Sequence, residues 1–202
     1  MTRARPSPES RHGGRGQVKL IAGRWRGRLL RVVDRPGLRP TPHRVRETLF
    51  NWLQGELSGA CVLDLFAGSG ALGFEALSRG AVQAVLLEKD GITVQQLRLE
   101  AERLGAGSSC RIEQADAISW LQGTAQPFDL VFLDPPFAAG LWQAALAALD
   151  QGGWLRPGAW VYLEAPEELE LASAASCWQP YRQLKAGEVR CQLWRYQPEL
   201  VG

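Results

Sequence analysis

Hydrophobic positions beyond residue 60 form short apolar runs that alternate with stretches in which apolar residues recur every three or four positions. Runs of the first kind are typical of strands buried on both faces, and stretches of the second kind are typical of amphipathic helices. The alternation predicts an α/β fold with a doubly wound sheet, in which ligands bind at the carboxyl ends of the strands. Strands are predicted at 61–66, 83–88, 110–115, 128–134, 158–164 and 189–196, with a further candidate at 180–185, and helices near 71–79, 91–104, 115–122, 139–150 and 167–175.

The first part of the chain has a different pattern. Residues 1–16 are rich in Arg, Pro, Ser and Gly, which predicts a disordered basic tail. The apolar residues of 17–22 and 28–33 predict two paired strands, and the GRWRG segment at 23–27 joins them. We therefore expect a β-hairpin that precedes the α/β region.

A turn-rich segment, DRPGLRP at 34–40, links the hairpin to a predicted helix from His43 to about Leu57. Thr41 is the expected N-cap of this helix, with Pro42 at the first helical position. The predicted organisation is a tail over 1–16, a hairpin with its linker over 17–40, and a larger domain over 41–202.

A glycine-rich turn follows the first apolar run of the α/β region, in the sequence DLFAGSGALG at 64–73. Its G-x-G-x-x-G spacing at the start of a helix lets a nucleotide-like ligand approach the backbone, although the same spacing also occurs in tight turns that bind nothing. Asp64 lies within the apolar strand, where an unpaired carboxylate is costly. Glu88 ends the next strand, where it can accept hydrogen bonds from ribose hydroxyls or simply face solvent.

A second motif, DPPF at 134–137, ends the predicted strand 128–134. Pro135 and Pro136 lack N–H donors, so the Asp134 carboxylate and the nearby carbonyl oxygens form a group of acceptors, with the ring of Phe137 beside them. Such a group suits a flat heterocycle that carries an NH₂ group. The alternative is a Pro-Pro turn that only ends the strand.

The distribution of charge adds a candidate partner. The first 48 residues contain thirteen Arg and Lys against three Asp and Glu, whereas the remaining residues contain ten against eighteen. A basic arm on an acidic body predicts contact with a polyanion, unless the arm serves only solubility. At the hairpin tip, Arg24, Trp25 and Arg26 suit phosphate contact and base stacking, although the indole could instead fold back onto the body.

Other functional classes find little support. No apolar run is long enough to span a membrane, and the N-terminus lacks the apolar segment of a secretory signal. With two histidines and no zinc-type spacing, no metal site is expected. The four cysteines are widely separated and are expected to be reduced thiols of a cytoplasmic protein: Cys61, Cys110, Cys177 and Cys191.

Taken together, the glycine turn, Glu88, the Ala115-Asp116-Ala117 strand end and DPPF resemble the class I S-adenosylmethionine-dependent methyltransferases, in the branch that methylates exocyclic or amide nitrogens. The segments LIAGRWRGRLLRV at 20–32 and GLRPTPHRVRETLFNWL at 37–53 are similar to the small-subunit ribosomal RNA methyltransferase D family. Members of that family methylate N2 of a guanine in 16S rRNA. Pro42-His43 follows Thr41 where the family often has Thr-Asp.

The resemblance implies a Rossmann-like methyltransferase sheet with a hairpin extension, S-adenosyl-L-methionine as cofactor, and 16S rRNA as substrate, either in the 30S subunit or in an assembly intermediate. Glu88 would bind the ribose, and Asp116 with the Ala117 N–H would bind the adenine. The implied cofactor-binding residues are Asp64, Phe66, Gly68, Ser69, Gly70, Glu88, Asp116 and Ala117. The implied residues at the target base are Asp134, Pro135, Pro136 and Phe137, and RNA contacts are expected from Arg24, Trp25, Arg26, Arg28, Arg39 and Arg44.

Alternatives stay open within and outside this chemistry. The substrate could be an amine of DNA adenine or cytosine, or a protein glutamine amide, although the basic arm disfavours the amide. An NAD-dependent oxidoreductase could use the same glycine turn, but it has no use for DPPF. A non-enzymatic RNA-binding assembly factor could retain the fold, although intact Asp134 and glycines argue against it. A monomer is expected, because the acidic body shows no self-pairing stretch.

Overall fold

The computed structural model of this chain describes residues 16–33, 41–169 and 177–198. Its secondary structure confirms the predicted α/β fold, and the predicted helix at 167–175 falls mostly outside the described residues. The strands are β1 (Gln17–Lys19), β2 (Leu29–Arg31), β3 (Cys61–Asp64), β4 (Gln83–Glu88), β5 (Cys110–Gln114), β6 (Phe128–Leu133), β7 (Leu155–Pro166), β8 (Trp178–Ala186) and β9 (Val189–Tyr196). The helices are α1 (His43–Trp52), α2 (Ala71–Ser78), α3 (Gly91–Leu104), α4 (Ala117–Trp120) and α5 (Trp142–Gln151).

Seven strands form the central sheet, in the order β5-β4-β3-β6-β7-β9-β8. The first five of these strands are parallel to one another, and β9 and β8 add antiparallel to one edge. From β3 the chain builds outwards to β4 and β5, then crosses back to place β6 on the other side of β3. The switch in direction opens a crevice between the carboxyl ends of β3 and β6, where doubly wound sheets bind their ligands.

Two apolar layers cover the faces of this sheet. Side chains alternate between the faces along each strand, so that Val62 and Phe132 belong to one layer while Leu63 and Val131 belong to the other. Helices α1, α2 and α3 pack on the first face, which we call the α1 face, and α4 and α5 pack on the second. None of the helices that the structure describes combines the length and the apolar character that a membrane span requires.

The N-terminal hairpin is shorter than predicted, and its tip turns against the body. Strands β1 and β2 pair antiparallel, and a single 3₁₀ turn at Gly23–Trp25 lies between them. Trp25 is only 6% exposed, and its ring packs edge-to-face on that of Phe74 with the ring centroids 6.4 Å apart. The backbone N–H of Trp25 donates to Ser78 Oγ at 2.9 Å. The expected base-stacking role of Trp25 is therefore wrong, because the indole folds back onto α2.

The hairpin is anchored to the body by a buried carboxylate. Glu75 of α2 accepts the backbone N–H of Ile21 at 2.7 Å and of Ala22 at 3.0 Å, and it pairs with Arg79 at 2.6 Å. Leu20 and Leu30 are fully buried in the same apolar layer as α1 and α2. The hairpin consequently shares its core with the α/β body.

Helix α1 begins at His43 as predicted, but its N-cap residue and its C-terminal end differ from the prediction. Pro42 is its N-cap residue, and no side chain caps it. Thr41 does not cap the helix, because its hydroxyl instead donates to the buried carboxylate of Glu164 at 2.7 Å. The helix ends at Trp52 rather than near Leu57. The chain then turns through Gly55, which has a φ of 91°, a conformation that favours glycine.

Candidate active site

The glycine turn and the DPPF motif meet at the crevice between β3 and β6. Asp64 is the last residue of β3, and Asp134 follows the last residue of β6. The two strands are adjacent and parallel, with Asp64 opposite Phe132. Both predicted motifs therefore lie at the carboxyl edge of the sheet, beside the switch point.

Asp64 holds the glycine turn in place. Its side chain is 3% exposed, and Oδ2 accepts the N–H of Gly73 at 3.1 Å, which ties β3 to the first turn of α2. Burial raises the pKa of Asp64 to about 7, and hydrogen bonds from the N–H groups of Gly73 and Phe66 oppose the rise. The buried carboxyl of Asp64 therefore links the end of β3 to the start of α2 across the glycine turn.

Glycine is required at the entrance to α2. Gly70 is the N-cap residue with a φ of 74°, and a Cβ there would lie 2.5 Å from the ring of Phe74. A Cβ on Gly73 would lie 2.8 Å from Leu86 Cδ1. Steric packing thus accounts for these two glycines, since any side chain there would overlap a neighbour.

Glu88 lies beside the glycine turn at the end of β4. Its carboxylate accepts the N–H of Gly68 at 3.1 Å through Oε2 and the N–H of Asp90 at 2.9 Å through Oε1. A carboxylate has about four acceptor positions, so hydroxyl groups of a ligand can still bind it. The predicted ribose-binding role remains a prediction, and the position of Glu88 is compatible with it.

Asp116 follows the next strand, β5, at the same edge. It caps α4 by accepting the N–H of Ser119 at 3.1 Å, and its other oxygen accepts Lys89 Nζ at 3.0 Å. These interactions, the Ser119 N–H first, lower the pKa of Asp116. Ala117 begins α4 and is buried. The adenine contact predicted for Asp116 and Ala117 remains a prediction.

The chemistry of this edge fits S-adenosylmethionine. Acceptors on two successive strand ends, Glu88 and Asp116, match the hydroxyl and amino groups of an adenosine, and the glycine turn lies next to them. Phe66 is partly buried against the second apolar layer, and Ser69 is nearly buried, with its Oγ 3.4 Å from the N–H of Ala71. All the predicted cofactor residues are therefore at one edge of the sheet, and their contacts with the cofactor remain a prediction.

The DPPF motif follows β6 and leads into a 3₁₀ turn at Phe137–Ala139. Pro135 is buried, whereas Phe137 is 43% exposed, with its ring 5.6 Å from that of Trp142. The carbonyl of Pro136 accepts the N–H of Ala139 at 2.9 Å, so it is already engaged in the turn. An exposed aromatic ring next to a carboxylate is the arrangement expected for holding a heterocycle.

Asp134 is partly exposed at the mouth of the crevice. The pKa of its carboxyl is raised well above the ordinary value by loss of hydration, and then by the nearby charges of Glu164 and Asp64. A carboxyl group with a raised pKa binds protons more readily than a free one does. Asp134 is thus suited both to accept a hydrogen bond and to receive a proton.

Sequence reasoning did not single out Glu164, although it lies beside Asp134. Glu164 is 6% exposed, and its Oε1 accepts the hydroxyls of Thr41 at 2.7 Å and Tyr162 at 2.9 Å. The sequence feature that could have identified Glu164 is the one that identified Asp64: a single acid near the end of an apolar strand. Neither Gly-rich spacing nor a motif accompanied it.

A basic cleft of about 760 Å³ lies between the hairpin and α1. Two of the arginines predicted to bind RNA, Arg26 and Arg44, line it together with Arg79, and Glu47, Thr48 and Asn51 complete its polar lining. Arg24 lies outside this set: its guanidinium is 4.1 Å from the centroid of the Trp25 ring. Arg28 is exposed on the hairpin, and Arg39 lies outside the described residues.

Comparisons with known proteins agree with this geometry. A family model described as conserved hypothetical protein 95 matches residues 18–195. Ribosomal RNA small subunit methyltransferase D of Escherichia coli (strain K12) is 46% identical over 191 residues, which cover 95% of each chain. The solved structure of the protein yhhF from Escherichia coli has a TM-score of 0.83 and 43% identity, covering 91% of this chain and 100% of that one.

A more distant solved structure shares the fold. It is an RNA methyltransferase from Salinibacter ruber in complex with S-adenosyl-L-homocysteine, with 19% identity and a TM-score of 0.63, covering 80% of this chain and 96% of that one. The family model and the Escherichia coli relatives each match more than four fifths of this chain. This chain belongs to the ribosomal RNA small subunit methyltransferase D family.

Proposed function

We propose that this protein transfers a methyl group from S-adenosylmethionine to the exocyclic N2 of a guanine in 16S rRNA. The observation that carries the proposal is the meeting of two motifs at one crevice, in a chain 46% identical to a small-subunit rRNA methyltransferase. One motif offers acceptors suited to an adenosine, and the other offers a carboxylate and an aromatic ring suited to an amino-substituted base.

S-adenosylmethionine, when bound, supplies a methyl group on a positively charged sulfur. The glycine turn from Gly68 to Gly70 would lie along the cofactor, and the carboxylate of Glu88 would bind its ribose. Asp116 with the N–H of Ala117 would hold its adenine. Asp64 would act through the turn, because it bonds to the N–H of Gly73. Positioning of the reacting atoms is the main contribution of such a site.

The guanine would be held by the DPPF motif. N2 is a weak nucleophile, because its lone pair is delocalised into the ring. A hydrogen bond from the amine to the Asp134 carboxylate favours a more tetrahedral nitrogen, whose lone pair can point at the methyl group. Phe137 presents an exposed ring on which the base can stack. The base must leave its own stack to enter, and this costs least in a loop of the RNA.

The basic cleft would contact the phosphate backbone of the RNA. Arg26 of the hairpin and Arg44 of α1 both line this cleft, so residues from two elements that precede β3 would contact the RNA together. Guanidinium groups bind phosphates strongly, and each such contact makes affinity depend on salt. Within this proposal the substrate is the 30S subunit or an assembly intermediate, and the enzyme is a cytoplasmic monomer.

The test is methyl transfer from radiolabelled S-adenosylmethionine to 30S particles and to naked 16S rRNA, both from a strain that lacks this gene. The RNA is digested to nucleosides, and we expect label in N2-methylguanosine. Label in another nucleoside would contradict the guanine N2 assignment. Absence of label in both substrates, with S-adenosylmethionine still bound, would contradict the enzymatic proposal and favour an assembly role.

A further inference from the structure

We infer that Glu164 is a positioning residue for methyl transfer: it places a second carboxyl group beside Asp134, and this pair receives the proton that leaves the methylated amine. The inference rests on the proposed function, since it concerns the reaction at the same crevice.

The register of the sheet places the two carboxyl groups side by side. Strands β6 and β7 are parallel, with Phe132 opposite Tyr162 and Leu133 opposite Leu163. The next residue along the chain is an acid in both cases: Asp134 directly follows β6, and Glu164 lies within β7. Because side chains alternate along β7, Glu164 projects towards the α1 face with Tyr162, whose ring is 6.3 Å from that of Phe132. The charge of Glu164 acts on Asp134, as expected for neighbouring carboxyl groups.

Glu164 is held by neutral donors. Its Oε1 accepts two hydroxyls, from Thr41 and from Tyr162, and its backbone carbonyl accepts Trp142 Nε1 at 2.7 Å. Among the described residues, no Lys, Arg or His forms an ion pair with Glu164. Burial raises the pKa of Glu164, and the hydrogen bonds from the Thr41 and Tyr162 hydroxyls only partly oppose this rise.

Among the residues that the structure describes, no other charged group lowers the pKa of Asp134 or Glu164 through its charge. Asp64 adds a third acid from β3, and it raises the pKa of Asp134 as Glu164 does. Tyr162 and Cys191 have pKa values raised by burial, to about 12 for the thiol, so both stay neutral. Arg46 of α1 donates to the backbone carbonyls of Thr41 and Lys19.

This environment disfavours two negative charges on the pair, so that the pair favours the uptake of one proton. Burial raises the pKa of both Asp134 and Glu164, and the charge of Glu164 further raises that of Asp134. When one carboxyl holds a proton, the repulsion between the two is removed. The pair therefore takes up one proton more readily than an isolated aspartate would.

The reaction releases one such proton. As the N2–C bond forms, the C–S bond breaks, its electron pair stays on sulfur, and the sulfur becomes a neutral thioether. The amine then carries a methyl group, two hydrogens and a positive charge. One N–H proton passes to the Asp134 carboxylate, which leaves a neutral methylamino group and a protonated Asp134. Asp134 is partly exposed, so its proton can pass to water when the product leaves.

The test compares the wild type with Glu164→Gln, which keeps the shape of the side chain and an acceptor for the two hydroxyls but removes the charge. We expect the acid limb of the kcat–pH profile to move to lower pH by about one unit, as expected for loss of a neighbouring like charge. We expect kcat at neutral pH to fall about 10-fold or more, as for a weakened proton acceptor. The KM for RNA should stay within about 2-fold, because Glu164 is buried behind Asp134.

A second readout does not depend on activity. In free protein with ¹³C-labelled aspartate, the Asp134 carboxyl resonance is assigned by its absence in Asp134→Asn. Its titration midpoint should lie above the ordinary range in the wild type and should fall in Glu164→Gln. A wild-type midpoint near 4, the value of an isolated aspartate, would overturn the inference even if the Glu164 variant fails to fold.

Glu100→Gln is the matched control. Glu100 is a glutamate on α3 that is only 1% exposed and is bonded to Arg103 and Gln96, away from the crevice. The Glu100→Gln variant should leave the acid limb of the kcat–pH profile and the titration midpoint of Asp134 unchanged. A lower kcat in Glu164→Gln with both pH readouts unchanged would mean that Glu164 has only a structural role. If no N2-methylguanosine forms in the wild type, the proposed function fails, but the titration still tests the carboxyl pair.

Discussion

Each acid at the carboxyl edge of the sheet has different partners, and these partners decide what its carboxyl group can do. Asp64 is enclosed and bonded to the N–H of Gly73, so its role is to hold the glycine turn. Glu88 is bonded to two N–H groups but remains open to further donors. Asp134 is partly exposed at the crevice beside the buried Glu164, which suits it to the reacting amine.

Replacement of Asp134 by alanine should lower kcat by at least ~100-fold, by analogy with the loss of other positioned polar groups in active sites. Affinity for S-adenosylmethionine should be nearly unchanged, because the cofactor residues lie on other strand ends. Methyl transfer and calorimetric titration measure the two quantities. Near-normal turnover would exclude the role proposed for Asp134.

Replacement of Glu88 by alanine should weaken binding of S-adenosylmethionine by about 10-fold or more, since hydrogen bonds to a charged group contribute about 1.5–3 kcal/mol each. Glu102→Ala is the control, because Glu102 is an exposed acid on α3. Calorimetric titration measures both affinities. If both variants bind the cofactor as the wild type does, the ribose site lies elsewhere.

The raised pKa of Asp64 predicts how stability depends on pH. The folded state binds a proton up to a pKa of about 7, whereas the unfolded state loses it near the ordinary pKa of 3.8. Asp64 therefore costs stability as pH rises from about 4 to 7, at about 1.4 kcal/mol per pKa unit. The Asp64→Asn variant has no carboxyl group at this position, so this decrease in its unfolding free energy with rising pH should be absent.

Urea unfolding of the wild type and Asp64→Asn at several pH values across this window measures the effect. The stability of the wild type should fall relative to that of the variant as pH rises. Parallel curves for the two proteins would show that folding does not raise the pKa of Asp64.

At the scale of elements, the hairpin tip and α2 form one packed unit. Gly23 has a φ of 76°, and a Cβ there would lie 1.7 Å from the carbonyl oxygen of Ser78. Ser78 in turn accepts the N–H of Trp25 and donates to the carbonyl of Ala22. The tip can therefore approach α2 only through a glycine, and this approach is what buries Trp25.

Gly23→Ala should destabilise the protein by about 3 kcal/mol, the size expected when a side chain is forced into backbone atoms. Gly27→Ala is the matched control. Gly27 has a similar φ of 83°, but a Cβ there would meet only the Lys19 side chain, at 4.0 Å. It should cost about 1–2 kcal/mol, the strain of the left-handed conformation alone. Equal losses of unfolding free energy in urea would contradict the close packing at Gly23.

At the scale of the whole molecule, the basic cleft between the hairpin and α1 is the surface that we propose contacts RNA. The double variant Arg26→Glu, Arg44→Glu should bind RNA more weakly. The slope of log affinity against log salt should become shallower by about 2, because each arginine that pairs with a phosphate contributes about one to the slope. Binding of S-adenosylmethionine should not change. Filter binding over a range of salt concentrations measures the slope.

The control for this pair is Arg182→Glu, Lys185→Glu on the edge strand β8, which changes net charge by the same amount. Both of these residues are exposed. If the control pair weakens RNA binding as much as the cleft pair, the effect reflects total charge, and the cleft is not the docking surface.

The sequence alone was enough for features whose causes are local in the chain. Strand and helix periodicity predicted the α/β fold and most of the elements, because each element depends on the spacing of its own apolar residues. The glycine spacing and DPPF predicted the two sides of the crevice, and their combination indicated the family that the comparisons then showed. The ends of the elements were less accurate, as α1 illustrates.

Only the tertiary structure decided which distant residues meet. Trp25 was expected at an exposed tip, but Gly23 brings it against α2, more than fifty residues along the chain. Thr41 was expected to cap α1, yet its hydroxyl bonds to Glu164, which is 123 residues away. A local pattern shows that a side chain needs a partner but not which partner, since the register of the sheet and the packing of α1 determine that choice. For the same reason, the carboxyl pair of Asp134 and Glu164 became visible only once β6 and β7 were placed side by side.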